Sequence, residues 1–324
     1  MKSILITGIS GFVGGHYAQF LCDTRRDFTI HGVSRSRPTW DFVSHRDLIV
    51  DSIDIHQCDL LDTIAVNRVL KETQPDYILH LAAMSSVAES WITPLTSFLN
   101  NTNAFLNIVE AVRNQGLTSK ILSVGSSEEY GIVQKSDLPL FENHTVSPQS
   151  PYAVARVSQE YLAQIYAKGY NLNICCTRSF NHIGPGQKDT FVISSISKQF
   201  ANIAVNKKRP VINIGAGSIV RDFTDISDVI LAYESIFENG LLGETYNVCS
   251  GKGNKICDIV NLFSEITDIP ITIEQNTNLM RPIDNPILIG SYRKLHEHTG
   301  WTPLIPLNES LTKIFDYWCN KLSK

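Results

Sequence analysis

Gly8, Gly11 and Gly14 form a GxxGxxG pattern directly after the apolar run that begins at Ile4, at the mouth of a helical stretch. Glycines so placed permit a tight turn, let the backbone approach a pyrophosphate and seat the helix closely on the strand. The helix N-terminus meanwhile offers unpaired N–H donors and the positive end of its dipole. Taken alone, three such glycines also fit a plain strand-to-helix turn. A site that selects NAD usually carries Asp or Glu about 20 residues further on, to bind the ribose hydroxyls. Here that stretch reads Gly-Val-Ser34-Arg35-Ser-Arg37. Ser34 stands in the acid's place with two arginines beside it, which suits a 2′-phosphate better than a free hydroxyl. The alternative is a solvated basic turn. The expected cofactor is NADP (NADPH), with NAD possible.

Such a site needs a strand–helix–strand frame. The sequence supplies it as a strand from Ile4, a helix to about Leu21, a strand from Phe28 to Val33, and a strand near Ile53 to Gln57. A helix follows around Ile64 to Glu72, then a strand from Tyr77 to Leu81, a helix near Leu99 to Asn114 and a strand from Lys120 to Val124. Strands alternating with helices predict an α/β fold, a Rossmann-type doubly wound parallel sheet. After about Phe180 the alternation breaks. Val211 to Ile214 and Ile271 to Glu274 read as short strands of a smaller mixed lobe, and Tyr246 to Val248 as a strand returning to the main sheet. The division expected is 1–180 for the NADP-binding domain, with return segments near 215–250, and 181–324 mainly for a substrate-binding lobe.

Composition narrows the function class. The 324 residues include 43% hydrophobic and 19% charged residues with a formal net charge of −4, an ordinary globular balance with no basic tail for nucleic acid. No stretch approaches the roughly 20 apolar residues of a membrane span, and the N-terminal apolar run is too short for a signal peptide. The seven cysteines are scattered without CxxC spacing, so a reduced, cytoplasmic protein without a metal is expected. His80 and His182 lack a carboxylate or second histidine at ligand spacing and read as satisfied structural residues.

Five motifs recur in order along the chain: the glycine pattern, His80-Leu-Ala-Ala, Ser126-Ser-Glu128-Glu-Tyr-Gly, Ser-Pro-Tyr152, and Arg221-Asp-Phe-Thr-Asp-Ile-Ser-Asp228. In this the chain resembles the extended short-chain dehydrogenases/reductases over essentially its full length. The stretch Phe180-Asn-His-Ile-Gly-Pro-Gly-Gln187, with Tyr-Asn-Val-Cys-Ser-Gly and Arg281-Pro, is most similar to the GDP-4-keto-6-deoxy-D-mannose reductases and less so to the GDP-mannose 4,6-dehydratases. The resemblance implies that Ser126 hydrogen-bonds the substrate carbonyl and Tyr152 exchanges the proton while the cofactor exchanges hydride at the same carbon. The chemistry is coherent, because a carbonyl receiving hydride develops alkoxide charge that two hydroxyl donors stabilise preferentially in the transition state. Free tyrosine titrates near 10, so a neighbouring cation is needed for proton exchange at neutral pH. The family places lysine four residues after the tyrosine; here Arg156 takes that position, keeping the charge but not a lysine-type proton relay.

For the cofactor, the resemblance adds Phe12, Val13, Asp59, Leu60, Leu81, Ala82 and Ala83 to Gly8, Gly11, Gly14, Ser34, Arg35, Tyr152 and Arg156. For the substrate it implies Arg221 and Arg281 on the diphosphate, Asn181 and Lys198 on sugar and phosphate or base, and Ser85, Ser86 and Val192 lining the site. Glu128 stands where the dehydratases keep a base toward the sugar C5, and either that role or hydroxyl orientation is open to it. The leading expectation is reduction of the C4 ketone of a GDP-linked 4-keto-6-deoxy sugar, hexose or heptose. A 4,6-dehydratase or epimerase that retains its cofactor is the second reading, and a catalytically weak sugar-nucleotide sensor the third. Family members commonly dimerise through two helices, here those near Leu99 to Asn114 and Tyr152 to Lys168, so a homodimer is expected.

Overall fold

The structure is a computed structural model that describes residues 2–25, 27–280 and 283–324. Its strands are β1 (Lys2–Thr7), β2 (Phe28–Ser34), β3 (Asp54–Gln57), β4 (Tyr77–His80), β5 (Lys120–Ser126), β6 (Ile174–Ser179), β7 (Asn181–Ile183), β8 (Val211–Ile214), β9 (Val220–Asp225), β10 (Thr245–Val248), β11 (Gly253–Lys255), β12 (Thr272–Gln275) and β13 (Ile287–Leu288). The helices are α1 (Phe12–Thr24), α2 (Arg46–Asp51), α3 (Thr63–Thr73), α4 (Val87–Ile92), α5 (Pro94–Phe98), α6 (Ala104–Gln115), α7 (Pro151–Tyr170), α8 (Val192–Asn206), α9 (Ile226–Asn239), α10 (Ile256–Thr267), α11 (Arg293–Thr299) and α12 (Leu307–Leu322).

Seven strands form one parallel sheet in the order β3-β2-β1-β4-β5-β6-β10. The order reverses between β1 and β4, and such a switch point opens a crevice beyond the carboxyl ends of the strands. Each face of the sheet buries its own apolar layer. Ile4, Ile6 and Leu79 pack with Tyr17 of α1 and Val229 and Tyr233 of α9, whereas Leu5, Ile78 and Ile121 pack with Val66 of α3, Phe105 of α6 and Ala163 of α7. This alternation is why the strands read as nearly continuous apolar runs. The expected doubly wound fold is present, and β10 is the return strand, paired with β6.

The later part of the chain makes a third apolar cluster in which Phe200 of α8, Phe263 of α10 and Trp318 of α12 enclose Ile212 of β8. β8 and β12 pair in parallel, matching the two short strands expected there. β7, β11 and β13 gather around β9. The helix expected from Leu99 is α-helical only from Ala104, because Leu99–Asn103 forms a π-helical turn. Its reason is local: the turn aims buried Asn101 at Met84, accepting from the Met84 amide at 2.8 Å and donating to the Met84 carbonyl at 3.3 Å. Single π-turns of this kind often mark functional sites.

Candidate active site

The glycine turn is built as a cradle. Gly8 holds φ +71° at the end of β1, and a β-carbon there would lie 2.8 Å from the Ala82 amide nitrogen. Gly11 is the N-cap of α1 and supplies no side-chain cap, so the helix N-terminus stays open to an anion. A β-carbon on Gly14 would meet the Ile9 carbonyl oxygen at 2.5 Å, so helix and turn touch backbone to backbone. Phe12 and Val13 open α1, while Leu81 and Ala82 donate backbone N–H to the Thr7 carbonyl and hydroxyl at 3.2 Å each, with Ala83 following. Glycine turn and β4 end therefore meet at the sheet's switch point, a shape that fits a dinucleotide pyrophosphate.

Ser34 ends β2, buried, and its hydroxyl is turned onto the Ser36 carbonyl; Arg35 next to it is exposed. Arg37 is drawn away to Asp51 at 3.1 Å. Asp59 accepts from the Leu61 amide, and Leu60 buries its side chain in the core while its carbonyl accepts from Asn107 at 2.8 Å. Leu60 therefore has only its backbone to offer a cofactor.

Ser126 ends β5. Its hydroxyl oxygen accepts from the Glu128 amide at 3.2 Å, and its own amide donates to Glu129 Oε1 at 2.7 Å, a reciprocal cap on the short helical turn Ser127–Tyr130. The hydroxyl hydrogen is not used by that bond and remains available to a carbonyl oxygen. Tyr152 stands in the first turn of α7, fixed by Pro151 and by the Ser150 cap on the Ala153 amide. Arg156, one turn on and 5% exposed, donates from Nε to the Tyr152 hydroxyl oxygen at 3.2 Å. Its Nη1 donates to the Val124 carbonyl at 3.0 Å and to Gln159 Oε1 at 2.7 Å, and Gln159 in turn donates to Ser123 Oγ at 2.8 Å. The arginine thus reaches the phenol as the sequence implied and ties α7 to the strand that carries Ser126. Sequence reasoning missed Gln159, whose signal was its place one turn beyond Arg156.

Beneath Ser126, Arg178 pairs with Glu160 at 2.7 Å and 2.9 Å and lies 3.8 Å from Glu129 Oε2. Burial, with Glu160 beside it, pushes the Glu129 carboxyl well above the usual carboxylate range.

On the substrate side, Arg221 is 6% exposed and donates to Asp284 Oδ1 at 2.6 Å and to the Asn285 carbonyl at 2.7 Å. Asn181 donates to the Asp222 carbonyl, Lys198 pairs with Asp189 at 2.7 Å, and Val192 is exposed at the first position of α8. Ser85 is exposed. Ser86 is half-buried, and its hydroxyl oxygen caps α4 by accepting from the Glu89 amide, which leaves the hydroxyl hydrogen unused by that bond. Arg281 lies outside the described residues. The two histidines need correction. His80 Nδ1 bonds Thr7 at 2.9 Å, but His80 Nε2 and His182 Nδ1 find no partner among the described residues. Burial holds both rings neutral, His80 down at about 3 and His182 at about 4.

Comparison with known proteins agrees with this fold. The family profile for GDP-mannose 4,6 dehydratase matches residues 5–314. A GDP-6-deoxy-D-mannose reductase of Pseudomonas aeruginosa is 31% identical, covering 98% of this chain and 97% of its own length. A GDP-mannose 4,6-dehydratase of Yersinia enterocolitica is 28% identical over 95% of this chain and 91% of its own. Among solved structures, that of RMD from Pseudomonas aeruginosa complexed with NADPH superposes with a TM-score of 0.86 at 30% identity, covering 99% of this chain and 100% of the other.

Proposed function

The chain belongs to the GDP-mannose 4,6-dehydratase family, within the extended short-chain dehydrogenases/reductases, and from that premise we propose that it uses NADPH to reduce the C4 ketone of a GDP-linked 4-keto-6-deoxy sugar, hexose or heptose. The observation that carries this reading is the full-length likeness to the Pseudomonas aeruginosa reductase.

NADPH, when bound, supplies the hydride. Gly8, Gly11, Phe12, Val13 and Gly14 would hold its pyrophosphate, Ser34 and Arg35 its 2′-phosphate, Asp59 and the Leu60 backbone its adenosine, and Leu81, Ala82 and Ala83 the stretch toward the nicotinamide. The ketone oxygen receives hydrogen bonds from Ser126 and Tyr152, and Tyr152 delivers the proton as the C4–O bond becomes an alcohol. Arg156 sets the phenol's orientation and keeps a positive charge against it. Asn181, Val192, Lys198, Arg221 and Arg281 are the substrate-side residues on the lobe that residues 181–324 mainly form, joined by Ser85 and Ser86 from the NADP-binding domain. Retention of Glu128 beside Ser126 favours a second reading, a dehydratase whose cofactor is reduced and reoxidised within one turnover.

The site is read as working in a cytoplasmic homodimer. Val154, Tyr161 and Ile165 form an exposed apolar stripe on one face of α7, extended by Ile92 and Leu95 on neighbouring α4 and α5. Sedimentation of the full chain at twice its monomer mass is the result expected.

The deciding experiment follows NADPH absorbance on mixing the protein with GDP-4-keto-6-deoxymannose. Loss of absorbance with wild type and not with Tyr152→Phe supports the reductase. No loss with NADPH and substrate both bound overturns it, and a tightly held cofactor that cycles without net absorbance change turns the assignment to the dehydratase.

A further inference from the structure

Away from the active-site crevice, β2 and β3 bring three metal-ligating side chains to one point. His31 and Asp54 are register partners on adjacent strands, and His56 is two residues past Asp54, so all three side chains lie on the same face of the sheet. His31 Nδ1 is 3.2 Å from Asp54 Oδ2, His56 Nε2 is 3.1 Å from the same oxygen, and the two nitrogens are 3.4 Å apart. Both imidazoles are largely covered, with side-chain exposures of 13% and 15%, while the carboxylate is 61% exposed.

We propose that His31, Asp54 and His56 form a binding site for one zinc-class divalent cation that staples the edge strand β3 to β2. Zinc holds nitrogen and oxygen ligands at about 2.0–2.1 Å in a tetrahedron, which separates any two ligand atoms by about 3.3–3.4 Å. The observed triangle has nearly that edge on all three sides. Ordinary hydrogen bonding accounts for it less well. Both ring nitrogens aim at a single carboxylate oxygen and at each other, so two N–H groups would crowd one acceptor, and only one proton can serve the N···N contact. A cation in the centre satisfies all three atoms at once. Two imidazoles with one carboxylate suit zinc or cobalt; calcium and magnesium prefer all-oxygen sets. A water would complete the tetrahedron as the fourth ligand.

The place gives the site a structural consequence. β3 is four residues long and among the described residues pairs only with β2, and it leads into Cys58 and Asp59 as β2, ending on Ser34, leads into Arg35. A cation bridging the two strands would fix the frame of the turns assigned to the adenosine end of the cofactor, and would add to stability by binding only the folded chain.

The test uses the full, tag-free chain stripped with chelator and titrated with Co²⁺, then with Zn²⁺ in competition. The expected result is one Co²⁺ per chain with the visible absorption of tetrahedral nitrogen and oxygen ligands, displaced by Zn²⁺ and not by Mg²⁺. Asp54→Asn and His56→Gln should each weaken binding by more than the about 10–100-fold that changes behind a ligand cost. The zinc-induced rise in melting temperature should vanish with them. Absence of one-to-one binding, or a signal unchanged in both variants, overturns the proposal. If the variants do not fold, X-ray absorption of the wild-type zinc complex decides: two imidazoles and oxygen support the site, and sulfur ligands, from the partly exposed Cys22, Cys257 or Cys319, refute it.

Discussion

Arg156 Nε donates to the Tyr152 hydroxyl oxygen at 3.2 Å, with the guanidinium carbon 5.3 Å from the centre of the tyrosine ring. A permanent cation therefore stands where the family keeps a lysine, and its remaining contacts to Val124 and Gln159 leave it little freedom to leave. The arrangement favours a working phenol over a silent binding protein. Tyr152→Phe should lower kcat by roughly 10²–10⁴-fold, the range for a lost proton-transfer group, while NADPH binding persists. Arg156→Lys keeps the charge but cannot reproduce the planar fork between Tyr152, Val124 and Gln159. It should fold and turn over at a measurably different rate. Steady-state kinetics of the two variants check both statements, and an Arg156→Lys enzyme with unchanged or abolished turnover would refute the view of arginine as an adapted stand-in.

Gln159 should behave as a positioning residue for Arg156. It is 1% exposed, accepts from the guanidinium and donates to Ser123, so truncation removes one of the three partners of buried Arg156 and the donor to the Ser123 hydroxyl. Gln159→Ala is expected to cost about 1–3 kcal/mol of stability, the penalty for unsatisfied buried polar groups. It should also lower kcat more than it raises KM, since the substrate contacts assigned above are left in place. Denaturant melts paired with kinetics would show it. A loss of stability with kcat intact would reduce Gln159 to a packing residue.

The 2′-phosphate contacts proposed above lie at the end of β2. Ser34→Asp places a carboxylate where a ribose hydroxyl would donate to it and a 2′-phosphate would be repelled. Paired with Arg35→Ala, it should shift preference from NADPH toward NADH by at least about tenfold, equivalent to the roughly 1.4 kcal/mol expected of one lost charged contact. Fluorescence titration with both nucleotides measures the ratio. Equal preference before and after would show that Arg35 is a solvated surface charge.

The parallel sheet was legible because its strands are buried on both faces and its turns carry glycine, and both marks are local. Tyr246 to Val248 could be recognised only as a candidate return strand, because the polar Thr245 and Asn247 flank Tyr246 and its pairing with β6 is not local. The Gly8–Ala82 approach was half legible: the glycine announced a close contact, and only the β1–β4 pairing says with what. Other features depend on pairing that no local pattern encodes. His31 and His56 meet through the register of β2 against β3, so neither reads as a ligand along the chain. That Ser86 also caps a helix follows only once α4 is seen to begin at Val87. That one ring nitrogen each of His80 and His182 finds no partner among the described residues likewise follows from burial, which spacing does not report.

Glu129 supplies the last prediction, because it holds the Ser126 amide and shares Arg178 with Glu160 in a fully buried site. Its carboxyl titrates well above the ordinary value in the folded chain, through burial first and the neighbouring Glu160 second. A raised folded value means that its contribution to stability is complete below the unfolded carboxylate value of about 4.3 and is lost as pH rises through the folded value. Glu129→Gln reproduces the neutral form, still accepts from the Ser126 amide and carries no proton to lose. The variant should therefore match or exceed wild type in stability at neutral pH, with a gap that widens as pH rises, and keep near-wild-type kcat. Glu129→Ala removes the acceptor, leaves the Ser126 amide unpaired, and should lower both stability and kcat. Thermal melts of the three proteins from mildly acid to alkaline buffer read the sign directly: a wild-type protein that gains on Glu129→Gln as pH rises would mean that Glu129 is ionised in the fold, paired with Arg178 as a second carboxylate.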